Sequence, residues 1–376
     1  MTGRDTTKDK YRLYGWEVSP YSAKVKAYFR YKGIPCKNIV PNIFTLKQSI
    51  EPKVGKVIMP VVFGPEDEVL QDSSVIINEL EKRYPDKSII PATPKQQFVS
   101  MLLELCGDEW LTMAALHYRW NYPENRTFIL NEFGKSALPY FPGFVQRKVA
   151  SVFAGKLKGY LPILGITEQT QDALEANTHD ILQILNRHLE SYPYVLGQSP
   201  CIGDFSLYGP IYAHLHRDPS PAKLIANYPN VLGWVNRLKD GSAEMNSGFI
   251  ENDEIPDSLL PLIKLIIEQQ FPLLEDSAKA INQWAIENPD KNKLPSRLGD
   301  TMLRIGDASA SRFNLTYPYW MYQQISDFYH ELSSTEKDQV NLLVMGLFET
   351  SDSAIGFLKA PLKNRVLLKR CRLYLE

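Results

Sequence analysis

Two stretches near the start of the chain decide the fold: VIMPVVF at residues 57–63 and EVLQDSSVI at residues 68–76. Both contain β-favourable residues, and the first holds a proline that cannot donate to a strand ladder. A cis bond at Met59-Pro60 or an edge-strand position would accommodate that proline. The second stretch is predicted to pass from a short strand into a helix, because the side-chain oxygens of Asp72 and Ser73 can accept from free N–H groups at a helix start.

The residues before these stretches complete an alternating unit. Three elements are predicted there: a strand at residues 11–18, a helix at residues 21–32 and a second strand at residues 36–43. In the helix, Val25, Tyr28 and Phe29 recur at helical spacing, and Lys24 is expected on another face. The predicted order over residues 11–90 is therefore β-α-β, then β-β-α, typical of an α/β domain.

Beyond a proline-rich linker at residues 84–94, the pattern changes. Residues 95–246 show helical periodicity without strands and are predicted to form an all-α domain of ordinary size. Residues 247–376 are predicted to be a helical extension, with residues 295–315 irregular and the basic run near residue 370 on a solvated face or a salt-bridged helix end.

Composition limits the class of protein. The 376 residues carry 42 Lys+Arg and 43 Asp+Glu, so the chain lacks the broad positive charge expected of a nucleic-acid-binding protein. The four cysteines lie far apart with no CxxC pair, which favours reduced, intracellular thiols. The polar start lacks the apolar segment of a signal peptide, and charged or polar residues interrupt the longest apolar run. We expect a soluble cytoplasmic protein without a membrane span.

Four motifs carry a resemblance to a known family. Ser19-Pro20-Tyr21-Ser22 resembles a (Cys/Ser)-Pro-aromatic catalytic corner, and residues 57–62 resemble a strand that carries a cis-proline. Residues 70–76 resemble the turn L-x-(E/D)-S-x-A-I, and residues 196–205 resemble the helical-domain motif G-x-x-P-(S/T)-x-A-D, with Cys201 in place of its Ser or Thr. In this order and spacing, the motifs resemble the glutathione transferase superfamily over residues 11–245.

The resemblance implies a thioredoxin-like domain, residues 11–90, followed by an all-α domain, residues 95–246. Typical members lack the extension, residues 247–376, which resembles that of long bacterial transferase-like proteins. Family members usually pair as dimers, so a homodimer is expected.

The resemblance also implies a catalytic residue. Glutathione attacks as a thiolate, and a hydroxyl that donates to the sulfur lowers the pKa of the thiol. Ser19 is the expected donor, and Tyr14 and Ser22 are the alternatives. Ser19 could equally be a helix cap, and the two roles are compatible. A serine cannot form the mixed disulfide that a cysteine would form, which favours attack by glutathione on an electrophilic carbon over thiol exchange.

The implied glutathione contacts come from three segments. Asp72 would pair with the glutamyl ammonium, and Ser73 with the helix N–H groups would hold the glutamyl carboxylate. Met59, followed by Pro60, would offer backbone groups to the cysteinyl part. Lys47 is the candidate for the glycine carboxylate, ahead of Lys56.

A second-substrate pocket is expected between the domains. Four residues are its candidates, although each could instead belong to the core: Trp16, Trp110, His117 and Tyr118. No metal is expected, because the six histidines form no ligand pattern and His214 and His216 point apart on a helix.

The function predicted from these residues is a glutathione-dependent transferase acting on a hydrophobic electrophilic small molecule. One alternative is a non-catalytic binding or adaptor protein on the same scaffold. Another is a glutathione-dependent peroxidase or reductase, which would need only the same thiolate site.

Overall fold

The computed structural model describes residues 10–65, 68–242, 248–348 and 352–376, so the first nine residues and the predicted domain boundary near residue 246 lie outside the described part. The strands are β1 (Tyr11–Tyr14), β2 (Cys36–Ile39), β3 (Val61–Phe63), β4 (Val69–Gln71), β5 (Arg297–Ile305), β6 (Ala308–Leu315), β7 (Val366–Lys369) and β8 (Arg372–Leu375). The helices are α1 (Pro20–Lys32), α2 (Ile43–Thr45), α3 (Glu51–Val54), α4 (Ser73–Arg83), α5 (Pro94–Leu105), α6 (Leu111–Asn121), α7 (Pro123–Ala137), α8 (Gly143–Lys158), α9 (Tyr160–Ile163), α10 (Gln171–Ser191), α11 (Ile202–Pro210), α12 (Pro219–Ile225), α13 (Pro229–Asp240), α14 (Leu260–Glu287), α15 (Thr316–Glu331), α16 (Ser334–Gly346) and α17 (Asp352–Lys359).

The first four strands form one mixed sheet in the order β2-β1-β3-β4. β1 runs parallel to β2 and antiparallel to β3, which pairs antiparallel with β4. α1 connects the two parallel strands and α4 follows the last strand, so the predicted order of a thioredoxin-like domain, β-α-β and then β-β-α, is confirmed. The Met59-Pro60 bond is cis.

Alternation along β1 gives the sheet two buried faces. Tyr11 and Leu13 belong to the main core, which also contains the α1 side chain Phe29. Tyr14 points to the opposite face, where it packs in a smaller cluster with Phe63 and Ile50. The sheet is therefore covered on one face by α1 and on the other by the segment that contains α2 and α3.

The second region is helical, as predicted. α5 continues through a π-helical turn at Cys106–Trp110 into α6, and α11 packs against both α1 and α5. At Gly107 the backbone of α11 comes so close that a Cβ would lie 2.3 Å from the Ser206 carbonyl carbon. Asp204 stabilises the start of α11 by accepting from the N–H of Cys201 at 2.9 Å and from the indole of Trp234 at 2.8 Å.

The extension packs against the rest of the chain and shares its core. α15 and α16 contact α5, and α14 contacts α5 and α10. Buried side chains of all three regions, such as Phe29, Phe98 and Tyr322, belong to one continuous hydrophobic cluster. The extension is therefore a third layer of the same core.

The extension is not purely helical, so the prediction for residues 295–315 is wrong. β5 and β6 form an antiparallel hairpin in which Ile305 pairs with Ala308 across a two-residue turn. Along β6, buried residues alternate with exposed or half-buried ones, which is the strand period, and Gly306 adopts the positive φ (+54°) that such a turn requires. The basic run near residue 370 also belongs to a hairpin, β7–β8, and not to a helix end. Within the described ranges, no helix combines the length and apolar character needed to span a bilayer.

Candidate active site

The register of the first sheet brings three of the predicted segments to one edge. Tyr14 pairs with Val61, so the corner after β1 lies beside the cis Met59-Pro60 bond that precedes β3. Val61 also pairs with Gln71, so Asp72 follows β4 at the same edge. The three sequence motifs predicted to contact glutathione therefore lie at one edge of the sheet. The first and the last of them, at Ser19 and Ser73, are 54 residues apart in the sequence.

Ser19 occupies the N-cap of α1. Its Oγ accepts from the Ser22 N–H at 3.3 Å, and Pro20 follows at the first helical position. In the described part of the chain no acceptor receives the Ser19 hydroxyl proton. The hydroxyl is half-buried, so it can donate to a group placed over the helix N-terminus, where the free N–H groups favour negative charge.

The two alternative donors face elsewhere. Tyr14 is buried in the smaller cluster, with its ring 4.9 Å from the ring of Phe63. Ser22 is buried against the loop below the corner, since a Cβ on Gly15 would lie 2.6 Å from its Oγ. The geometry favours Ser19 among the three.

The contacts predicted on the β3 side differ in their exposure. Met59 is half-buried and packs against the smaller cluster, and Pro60 is buried. Lys47 has a side chain that is 75% exposed and forms an ion pair with Glu51 at 2.8 Å, one turn along the same segment. The structure therefore brings Met59 and Pro60 to the edge but leaves Lys47 directed into solvent.

The Asp72 carboxylate is held from two sides. Its Oδ1 accepts from the N–H groups of Ser74 at 3.1 Å and Val75 at 3.2 Å, so Asp72 caps α4. Its Oδ2 accepts from the hydroxyl of Tyr317, in the first turn of α15, at 2.6 Å. Burial raises the pKa of Asp72 above its ordinary value, against the hydrogen bond from Tyr317. Ser73, next in the chain, is buried.

A charged cluster lies directly beneath this turn. The Lys24 ammonium donates to Asp108 Oδ2 at 2.6 Å, to Glu104 Oε1 at 2.9 Å and to Ser74 Oγ at 3.2 Å. Lys24 was expected on another face of α1 than the apolar stripe, and the structure shows that its side chain is fully buried there. Burial alone would lower the pKa of Lys24, but the attraction of Asp108 and Glu104 outweighs it and raises that pKa. Lys24 thereby connects α1, α4 and α5 under the site.

Acidic groups outnumber basic ones here. Burial raises the pKa of Asp108 to about 6, against the attraction of Lys24. Burial also raises the pKa of Glu109 well above its ordinary value, and the charge of Arg312 on β6 partly offsets that shift. Burial in turn lowers the pKa of Arg312 to about 10. Together with Asp72, these carboxyl groups have raised pKa values because they are buried with too few cationic partners, and a ligand cation beside them would favour their ionised forms.

The four candidates for a second-substrate pocket separate into two sets. Trp16 lies at the corner, half-buried, with its ring 5.6 Å from that of Phe133 on α7. The other three are buried in the helical domain, where Trp110 donates to Asn177 at 3.1 Å and His117 contacts Glu175 at 2.7 Å. Only Trp16 lies beside the corner, and the buried three have the environment of core residues.

Among the described residues, no group of three or more His, Cys, Asp or Glu side chains is arranged to hold a metal ion. His214 is buried with its Nδ1 3.0 Å from the Ala115 carbonyl oxygen and its Nε2 3.0 Å from the guanidinium of Arg119. These contacts give His214 a structural position between α6 and the segment after α11.

Sequence reasoning missed two residues of the site, Lys24 and Tyr317. A signal existed for Lys24, because Lys24, Tyr28 and Tyr31 share one helical stripe and all three are buried. No local signal existed for Tyr317, which lies 245 residues beyond its partner Asp72.

Comparisons with known proteins match both domains. The model of the glutathione S-transferase N-terminal domain matches residues 13–88, and the model of the glutathione S-transferase C-terminal domain matches residues 139–239. No curated protein matches the chain significantly.

Solved structures resemble the chain at low identity. A glutathione S-transferase from Rhodospirillum rubrum F11 is 16% identical, with 66% of this chain and 96% of that chain covered and a TM-score of 0.39. The β-etherase LigF from Sphingobium sp. strain SYK-6 is 16% identical, with 61% and 94% covered and a TM-score of 0.41. Likeness at this level does not extend to substrate or activity. The two domain matches, in the family's order, show that residues 13–88 and 139–239 belong to the glutathione S-transferase superfamily.

Proposed function

We propose that the protein is a glutathione-dependent transferase in which the Ser19 hydroxyl donates to the glutathione thiolate. The observation that carries the proposal is the convergence of the Ser19 corner, the cis Met59-Pro60 bond and the Asp72-Ser73 turn at one sheet edge. A hydroxyl with an uncommitted proton at a helix N-terminus stabilises an anion and lowers the pKa of a bound thiol. The activated sulfur then attacks an electrophilic carbon.

Each end of glutathione would have a distinct partner. The glutamyl ammonium would approach Asp72 Oδ2 in the acid-rich edge. The N–H groups of Ser74 and Val75 are already taken by Asp72 Oδ1, so the hydroxyl and N–H of Ser73 are left for the glutamyl carboxylate. Met59 would pair through its backbone with the cysteinyl part. Lys47 is the weakest contact in the proposal, because its side chain is exposed and paired with Glu51.

The second substrate would lie against Trp16, at the border between the corner and α7. An apolar electrophile suits the partly exposed ring of Trp16, which packs on the buried Phe133. Its identity, a homodimer and a cytoplasmic location stay predictions.

Calorimetric titration with glutathione tests the proposal. Asp72→Asn keeps an acceptor for the helix cap and removes the charge, so binding should weaken by roughly 10- to 100-fold as one charge-assisted contact is lost. Ser19→Ala should leave affinity nearly unchanged and raise the pKa of the bound thiol by about one to two units, measured by thiolate ultraviolet absorbance. Ser22→Ala is the matched control and should change neither quantity.

One observation favours the alternative of a non-catalytic binding or adaptor protein. Tyr317 of the extension already donates to the oxygen that the ammonium would need. If wild-type protein shows no saturable binding at millimolar glutathione and Tyr317→Phe shows none either, the transferase proposal is refuted and the adaptor function takes its place. The peroxidase or reductase alternative shares the thiolate and is distinguished by assaying hydroperoxide and disulfide substrates beside electrophiles.

A further inference from the structure

The strongest unexplained feature outside the site is the surface of α8 and the loop before it. Six of the fifteen large hydrophobic side chains that are exposed among the described residues lie between residues 140 and 160. Tyr140 is 93% exposed, Phe144 69% and Val152 62%. In α8 only Ala150 and Ala154 are buried, so this helix contributes little to the core and presents most of its surface outward.

The charge of this region is as unusual as its apolar surface. Residues 133–167 contain no Asp or Glu, although the chain as a whole has slightly more acidic than basic residues. Five basic residues stand in this stretch: Lys135, Arg147, Lys148, Lys156 and Lys158. All five are exposed, and none forms an ion pair with a described residue. Cations without acidic neighbours make the surface complementary to a polyanion.

The apolar and basic side chains alternate on the same helix. Phe144, Lys148 and Val152 follow one another at four-residue spacing on the outward face of α8, and Phe141 precedes them. A surface that offers both exposed apolar groups and exposed Lys or Arg suits the interface of a bilayer, because the long cationic side chains can reach anionic headgroups while the apolar groups lie below them.

We propose that α8 and its preceding loop form a docking surface for an anionic lipid bilayer. A second copy of the chain is the poorer occupant, because two such surfaces would bring ten unpaired cations together. α7, which pairs with α8, also carries Phe133 beside Trp16, so docking would hold the corner of the candidate site near the lipid. An apolar compound dissolved in the bilayer could then reach the corner without crossing bulk water.

Vesicle flotation of the full chain tests the proposal. Vesicles of phosphatidylcholine with an equal amount of phosphatidylserine should carry the protein upward at low salt, and phosphatidylcholine alone should not. Raising the salt concentration should weaken the binding, because exposed charges are screened. Arg147→Gln with Lys148→Gln should lower the partition coefficient about fivefold for each cation, or about 25-fold together. Phe144→Ser should lower it about tenfold by removing apolar contact.

A matched control changes the same charge elsewhere. Lys264→Gln with Lys279→Gln, on α14, should leave partitioning within about twofold of wild type. The altered side chains are exposed, so all variants should keep the wild-type thermal unfolding midpoint. Failure to float with anionic vesicles, or equal losses in the α8 and α14 variants, would overturn the proposal. Two other results would also overturn the proposal, because they would assign the surface to a protein partner. One is self-association of the chain that depends on Phe144, and the other is binding of a soluble acidic polypeptide that is as strong as vesicle binding and competes with it.

Discussion

Replacing the buried Lys24 with methionine should strongly destabilise the protein. Methionine has a similar length, but it removes the two charged contacts at 2.6 Å and 2.9 Å and leaves Asp108 buried without a cation. Hydrogen bonds to charged groups contribute about 1.5–3 kcal/mol each, and breaking a buried pair costs about 3–5 kcal/mol. We therefore expect the free energy of unfolding of Lys24→Met to fall by about 3–5 kcal/mol at pH 7, measured by urea unfolding.

The pH dependence separates this mechanism from simple loss of packing. Burial raises the pKa of Asp108 to about 6 even with Lys24 present, and removing Lys24 raises it further. A carboxyl with a raised folded-state pKa stabilises the fold below its unfolded pKa and loses that contribution as pH rises through the folded value. The deficit of Lys24→Met should thus grow between pH 5 and pH 8, and Asp108→Asn in the same chain should reduce it.

Lys26→Met is the matched control on the same helix. Lys26 pairs with Glu17 at the surface, with its side chain 20% exposed, so its loss should cost under about 1 kcal/mol. A deficit of Lys24→Met no larger than that of Lys26→Met, or a deficit that does not change between pH 5 and pH 8, would refute the reasoning.

Three further substitutions test other contacts. Tyr317→Phe removes the donor to Asp72 at 2.6 Å, so urea unfolding should show a loss of about 2 kcal/mol, and a loss under about 0.5 kcal/mol would contradict the bond. Arg119→Lys should lower the thermal midpoint and reduce the free energy of unfolding by about 3–5 kcal/mol, because a lysine cannot reproduce the two 2.8 Å contacts of the buried guanidinium with Asp218. A variant as stable as wild type would show that this paired contact is dispensable. Gly107→Ala should lower the soluble yield and reduce the free energy of unfolding by about 1–3 kcal/mol, since its Cβ would meet the α11 backbone at 2.3 Å. An unchanged thermal unfolding midpoint would argue against that packing.

The sequence was most informative where short-range chemistry sets the structure. The proline at position 60, the capping pair Asp72-Ser73 and the helical spacing around Tyr28 each carry a local physical reason. They predicted the order of strands and helices in the first domain and left a cis bond at Met59-Pro60 as one of two alternatives, of which the structure shows the cis form. The place of the candidate site at the sheet edge depends on how β1, β3 and β4 pair, and the roles of Ser19, Asp72 and Ser73 there stay predictions.

Other features depend on partners that are distant in the sequence. The strand period of β5–β6 was overlooked because Gly306-Asp307 lacks the strongest hairpin signal. In β6 the polar residues Arg312 and Asn314 lie on the buried face and Phe313 on the exposed one, which hides the usual alternation of apolar and polar residues. Trp110 and His117 were candidates for a pocket on residue type alone, and only the packing of α10 against α6 shows that they are enclosed. Tyr317 could not be predicted, because nothing near it indicates a carboxylate 245 residues earlier in the chain.

That separation between Tyr317 and Asp72 also sets a delay during synthesis. A ribosome that adds about 5–20 residues per second needs roughly 12–50 s to make the 245 residues between the two partners. Until α15 and α16 emerge, the face of α5 that they cover remains exposed on an otherwise foldable nascent chain. The protein should therefore depend on chaperones during translation more than a two-domain chain of the same fold, and slowing elongation after α13 should lower its soluble yield.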